Sequence, residues 1–235
     1  MLEMLNELQG IQKKHIIVDC DEVLVRISPK WVYLMHQPEN FEYFNKYFDL
    51  LKDFDLQKNY IHILNRDKFY LNEWLLRKDK KFSIEELDEV KERMMDVYNS
   101  GDFYTTLKPT PMAKSLSFTA KSPLLNKISV VTRSTEKSIN DKDKFIKHIF
   151  QGSMDKVDIY HAEPNEKKSD IINNLGNDIA AIYDDEISNV NDIINNCHNV
   201  KDLIFGIPSY GYNSDIPDNT YEVAKNKGVI IKYYN

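Results

Sequence analysis

Three short apolar runs, each closing on a polar residue, constrain this chain most: HIIVD at 15–19, KISVVT at 127–132 and IAAIYDD at 179–185. Runs of Ile, Val and Ala without polar alternation suit strands covered on both faces, as in a parallel sheet flanked by helices. Two further runs, VKDLIFG at 200–206 and GVIIKYY at 228–234, share that character. Helical patterns lie between them, including STEKSINDKDKFIKHIF from Ser134 and KKSDIINNL from Lys167, so the order is strand, helix, strand. The expected fold class is therefore α/β, with a Rossmann-like parallel sheet as its core. In such sheets ligands bind beyond the carboxyl ends of the strands, so the polar residues closing these runs converge on one edge.

The stretch from Pro29 to Tyr104 breaks this rhythm. It holds no strand-like run and is dense in aromatics at helical spacing. SIEE at 83–86 has capping-box spacing, after which Leu87, Val90, Met94 and Tyr98 recur on one face until Gly101 supplies a stop. The expected organisation is an α/β core built from 1–28 and 105–235, with a helical block, 29–104, inserted after the first strand. The turn-rich segment IPSYGYNSDIPDNTY, 207–221, reads as a long loop before the last strand.

A net charge of −6 argues against a mainly electrostatic grip on nucleic acid, and RKDKK at 77–81 reads as a solvated face. The two cysteines, Cys20 and Cys197, have no metal-ligand spacing, which suits a reducing compartment. MLEMLNELQGIQKK is too acidic for a signal peptide, and no run reaches the ~18 apolar residues that span a bilayer. A cytoplasmic protein without a membrane partner is expected. Met1, Leu2, Leu5, Leu8 and Ile11 can form one face of a short helix that packs on the body or on a second subunit.

An extended chain alternates its side chains, so Asp19 and Asp21 point the same way while Cys20 turns into the core. Two like charges held close call for a hard metal ion, an acid/base couple, or both. The other strand ends add Thr132 with Arg133, Lys168 at a helix start, and Asp184 with Asp185. Together they supply oxygen ligands for an ion such as Mg²⁺, a hydroxyl donor, cations and a carboxylate nucleophile. A transferring phosphoryl group requires this set: donors and cations hold its charge while a nucleophile approaches in line.

Taken in order, IIVDCDEV, ISVVTRS, KKSDI and IAAIYDDEISN resemble the four motifs of the haloacid dehalogenase (HAD) superfamily, and the chain is similar to its phosphatases. That resemblance implies the HAD fold, a helical C1 cap inserted after the first strand, and Mg²⁺ as cofactor. Asp19 would be the nucleophile that becomes an aspartyl-phosphate, and Asp21 the general acid, then base. Thr132 would donate to the phosphoryl oxygens. Lys168, preferred to Lys167, would offset their charge. The metal set would come from Asp19, Asp21, Asp185 and Asp184. Asp185 is preferred as direct ligand because Asn189 follows four positions on, with Asp184 as a supporting or water-mediated partner.

A cap implies a small phosphorylated substrate, since a closing lid excludes folded proteins along with water. FYTTLKPTPMAKSLSFTAKSPLLNKISVVTRS at 103–134 and LIFGIPSYGYN at 203–213 are similar to the 5′(3′)-deoxyribonucleotidase branch. Three positions depart from it: PMA replaces the usual Pro-Gly, Arg133 a small residue, and Glu22 a glycine. Arg133 would then add a phosphate contact. Trp31 is the first of the insertion's aromatics, which form either its core or a ring that stacks a base. The alternatives are a nucleic-acid 3′-end phosphatase and a catalytically silent HAD-fold binding protein. A response-regulator receiver uses similar residues, but its acidic pair leads and its phosphorylated Asp follows the third strand, an order this chain lacks.

Overall fold

A computed structural model describes residues 15–100, 102–163, 165–213 and 215–234. Six strands pair in parallel into one sheet: β1 (His15–Val18), β2 (Lys127–Arg133), β3 (Val157–Ala162), β4 (Ile179–Tyr183), β5 (Ile204–Pro208) and β6 (Ile230–Tyr234). Their order across the sheet is β3-β2-β1-β4-β5-β6. The chain therefore winds outward from β1 in one direction, returns, and winds outward from β4 in the other. The reversal between β1 and β4 opens a crevice beyond their carboxyl ends, where open α/β sheets bind ligands. Val18 is level with Val130 and Tyr183, so the residues after it emerge beside the ends of both neighbouring strands.

Among the described residues, five helices lie between 28 and 98: α1 (Ser28–Met35), α2 (Pro38–Phe44), α3 (Leu56–Leu64), α4 (Leu71–Leu75) and α5 (Ile84–Tyr98). They bury their own cluster, including Val32, Met35, Phe44, Phe48, Ile63 and Met94. The rings of Phe44 and Phe48 stack at 5.8 Å. The capping box at Ser83 and Glu86 opens α5, and Val90, Met94 and Tyr98 are buried on it while Leu87 is half-buried. Helix α5 ends at Tyr98, where the Asn99 N–H returns to Met95 O. Gly101, expected to end it, lies outside the described residues, as does the apolar face at 1–14.

The outgoing and returning chains meet at a neck. Thr110 N–H donates to Leu24 O at 3.0 Å, its hydroxyl donates to Val23 O at 2.6 Å, and Val25 bridges Pro109. A second junction lies between α3 and α4. Arg66, buried there, donates to Ile63 O and Phe69 O, and its guanidinium lies 4.3 Å from the centre of the Tyr212 ring. Gly211 sits so close that a methyl group on it would collide with the carbonyl oxygens of Asn65 and Arg66.

Five more helices cover the sheet: α6 (Pro111–Ala120), α7 (Ile139–Ile149), α8 (Lys168–Ile172), α9 (Ile187–Asn196) and α10 (Asp218–Asn226). Alternation along the strands separates two cores. Ile16, Val18, Ile128 and Val130 join Leu116 and Ile146 on one face. Ile17, Val131, Ile182 and Phe205 join Val190 and Ile193 on the other.

The sheet has one strand more than the sequence pattern indicates. β3 is an edge strand with three half-buried residues and an exposed Asp158, so it lacks the unbroken apolar run of its neighbours. The expected loop at 207–221 is shorter: α10 begins at Asp218 and buries only Thr220 and Ala224, a contact too small to mark a helix face in the sequence. β5 starts at Ile204, later than expected, because Asp202 takes a left-handed φ of 49° and turns the chain first. Among the described residues no helix is long and apolar enough to cross a membrane.

Candidate active site

Asp19 follows β1 directly, and its backbone N–H extends the ladder to Tyr183 O at 2.8 Å. Its Oδ1 accepts the Cys20 N–H at 2.7 Å and its Oδ2 lies 3.0 Å from Lys168 Nζ. The same ammonium donates to Asp184 Oδ2 at 2.7 Å. Lys168 opens α8 and is 2% exposed, whereas Lys167 is exposed; only Lys168 reaches the strand ends. Burial works against its charge, but Asp184 and Asp19 hold its pKa above the ordinary lysine range.

Asp184 and Asp185 follow β4, and both are buried. Oxygens of Asp19, Asp184 and Asp185 lie within 4.8 Å of one another. Burial raises the Asp184 carboxyl to about 6; Lys168 opposes the rise and Asp19 adds to it. Burial likewise pushes Asp185 well above the usual carboxylate range, with Asp184, Asp19 and Glu22 pushing the same way. Three buried carboxylates against one ammonium leave an excess of negative charge in a low-dielectric pocket. A hard divalent cation neutralises such a set through oxygen ligands, so these residues fit Mg²⁺.

The four carboxylates expected at the metal divide three to one. Asp21 faces the same cleft but lies outside the clustered trio. Its Oδ1 accepts from Tyr104 OH at 2.6 Å, and its Oδ2 from Lys142 Nζ at 2.9 Å and Tyr98 OH at 3.4 Å. Asn189, four positions after Asp185, donates to Asp184 Oδ1 and to Glu186 Oε2, both at 3.1 Å. Asp185 receives the Tyr212 hydroxyl at 2.7 Å. Tyr212 thus touches the carboxylate cluster with its hydroxyl and the helical block with its ring.

Thr132, near the end of β2, is fully buried and borders the cleft. Arg133 stands at the cleft edge in an ion pair with Glu186 at 2.8 Å. Trp31 lines the opposite wall, its indole N–H donating to Met94 O at 3.1 Å and its ring 5.2 Å from that of Tyr98. Cys20 is fully buried with its thiol pKa raised well above the ordinary range, first by burial, as suits a spacer turned into the core.

Glu22 has a φ of 57°, in the left-handed region that glycine adopts without steric cost. The glycine usual here in the resembling family therefore has a backbone reason. In this chain the Glu22 carboxylate compensates by accepting both the backbone N–H and the hydroxyl of Ser28, at the start of α1. The other oxygen, Oε2, is buried without a hydrogen-bond partner.

The cleft has a volume of about 820 Å³ and lies between the helical block and the carboxyl edge of the sheet. Asp19, Thr132 and Lys168 form its floor; Trp31, Arg66 and Tyr70 belong to the facing wall. Three participants escape the sequence patterns: Lys142, Tyr104 and Tyr212. Tyr104 carries a signal in the aromatic lead FYTT and Tyr212 in the segment LIFGIPSYGYN, but neither segment singles it out as a site residue.

No family model matches the chain, and no curated protein matches it. Solved structures do align. One is a HAD-superfamily hydrolase, subfamily IA, from Geobacter sulfurreducens, at 14% identity over 93% of this chain and 98% of that chain, TM-score 0.49. Another is a haloacid dehalogenase-like family hydrolase from Xanthomonas campestris, at 10% identity over 91% and 94%, TM-score 0.42. A third is the L-2-haloacid dehalogenase of Xanthobacter autotrophicus, at 11% identity over 92% and 88%, TM-score 0.40. With TM-scores below 0.5, these likenesses carry no argument about chemistry, which rests on the side chains themselves.

Proposed function

We propose that this protein is a Mg²⁺-dependent phosphomonoester hydrolase of the HAD type, acting on a small phosphorylated metabolite, with (deoxy)nucleoside monophosphates the first class to test. One observation carries the reading: Lys168 bridges Asp19 and Asp184 within a buried carboxylate trio, at the point where the strand order reverses.

Asp19, Asp184 and Asp185 would hold Mg²⁺, whose chemistry would be to neutralise charge on the phosphoryl group. Asp19 is the nucleophile. Its backbone is locked into the ladder and its Oδ1 is fixed by the Cys20 N–H, so the attacking group needs little reorganisation. Attack on phosphorus breaks the bond to the leaving oxygen and leaves an aspartyl-phosphate, which water then hydrolyses. Asp21 gives the leaving oxygen its proton and afterwards takes one from that water. Thr132 donates to a phosphoryl oxygen. Lys168 keeps the Asp19 and Asp184 carboxylates together as charge shifts.

The cleft's size and cover support a small substrate. Tyr70, 54% exposed on the wall, offers a ring face for a base or another flat group. Arg133, paired with Glu186 at the edge, would steer an anionic substrate inward.

The test is phosphate release with and without Mg²⁺ over nucleoside monophosphates, sugar phosphates and a 3′-phosphorylated oligonucleotide. Release from a mononucleotide that vanishes in Asp19→Asn, with the circular dichroism spectrum unchanged, is the expected result. Activity persisting in Asp19→Asn would overturn the nucleophile. Release from the oligonucleotide alone would replace the small substrate with a nucleic-acid end.

A further inference from the structure

Lys142 belongs to a helix whose other lysines, Lys144 and Lys147, are exposed, yet its side chain is entirely buried. An ammonium in such a place requires acceptors on every side. Lys142 Nζ has three: Asp21 Oδ2 at 2.9 Å, Thr132 Oγ1 at 3.2 Å and Arg133 O at 2.6 Å. Two of the three are side-chain oxygens of residues given chemical roles above, and the third is the backbone carbonyl of Arg133. Lys142 itself does not line the cleft; it stands behind that wall.

Hydrogen-bond polarity gives this contact its meaning. An ammonium only donates, so Thr132 Oγ1 must accept from Lys142, and its single O–H is left to donate elsewhere. At Asp21 the ammonium holds one oxygen while the Tyr104 hydroxyl holds the other at 2.6 Å. Tyr104 is anchored in turn: its backbone N–H donates to Asp141 Oδ2 at 2.7 Å, on the first turn of the helix that carries Lys142. Tyr98 closes the bracket through the Tyr104 hydroxyl and a longer bond to Asp21 Oδ2. Both oxygens of Asp21 are therefore fixed from behind, and the carboxylate's residual exposure is toward the cleft.

Resting on the phosphomonoesterase reading, we infer that Lys142 and Tyr104 are positioning residues, which aim the Asp21 carboxylate at the leaving-group oxygen and the Thr132 hydroxyl at the phosphoryl oxygens. Neither touches substrate. Tyr104 acts through Asp21 alone, whereas Lys142 acts through both Asp21 and Thr132.

Leaving groups distinguish these roles from a merely structural one. An alkyl phosphate needs a proton on its departing oxygen, while p-nitrophenyl phosphate departs without one, so in aspartyl-phosphate formation, the stage that kcat/KM reports, misaiming Asp21 penalises only the first; hydrolysis of the intermediate is common to both esters. Tyr104→Phe, which keeps the ring, should lower kcat/KM on an alkyl phosphate by about 10²-fold and on p-nitrophenyl phosphate by less than about tenfold. Lys142→Met should show the same selectivity plus a further loss on both esters. Circular dichroism and Tm report folding, and Tyr104→Phe decides the matter if Lys142→Met does not fold. Equal losses on the two esters in folded Tyr104→Phe, or none, overturn the positioning role while the phosphatase reading stands. No release from either ester by the parent protein overturns both.

Discussion

The buried carboxylate trio should make the metal-free protein respond to pH in the reverse of the usual sense. Asp184 is the group to follow: its carboxyl is raised from the ordinary 3.8 to about 6, by burial first and by Asp19 next. A folded-state pKa above the unfolded value means that the folded form binds the proton more tightly. The stabilisation is complete below the unfolded pKa and is lost as pH rises through the folded one. A shift of this size amounts to roughly 3 kcal/mol over the whole window, about half of it between about pH 5 and about pH 7.5. Urea unfolding in EDTA at those two pH values measures the change. Other carboxylates contribute in both senses, so the quantity to read is the difference between the parent and Asp184→Asn. Asn imitates the protonated form, keeps the site's shape, and leaves Lys168 its Asp19 partner at 3.0 Å. The variant should gain on the parent by about 1–2 kcal/mol as pH rises across that interval. Saturating Mg²⁺, which binds the charged form, should remove the parent's disadvantage at the higher pH. A pH-independent difference in EDTA, or one that favours the parent as pH rises, would refute the crowding argument.

Three further outcomes are expected. Ser83→Ala removes the hydroxyl that caps α5 and should cost about 1 kcal/mol, read as a Tm lower by roughly 2–4 °C. Gly211→Ala drives a methyl group into the carbonyls of Asn65 and Arg66, so it should cost about 1–3 kcal/mol and expose the 64–71 segment to protease faster than in the parent, seen by limited proteolysis. Cys20, fully buried with a raised thiol pKa, should resist alkylation in native protein and react only on denaturation, followed by mass spectrometry.

The buried strands at 15, 127 and 179 are legible because strands covered on both faces tolerate little but aliphatic residues. β3 is not, since an edge strand tolerates Asp158 and His161 as readily as a loop does. At the site, Asp19 and Lys168 are readable from motif order, and their contact is observed. Residue spacing does not reveal which of two adjacent carboxylates helix α9 turns toward: Asn189, four positions after Asp185, bonds Asp184. Lys142 is legible only in part. It lies among Lys137, Lys144 and Lys147, and nothing in its local charge pattern sets it apart. Helical spacing puts it on the apolar face with Ile139, Phe145, Ile146 and Ile149, but the acceptors that meet it there are a tertiary fact, set by the approach of α7 to the ends of β1 and β2.

The neck at 23–25 and 109–110 bears on how such a chain can change over evolutionary time. Because the two crossing strands are tied to each other there, by the Thr110 bonds and the Val25–Pro109 bridge, the geometry of departure and return is set locally. Whatever hangs beyond the knot can be lengthened, trimmed or exchanged while β1 and β2 keep their register and Asp19 and Thr132 keep their places. The two parts are thereby made separately heritable: a duplicated copy can acquire a new helical block while keeping the same residues at the strand ends.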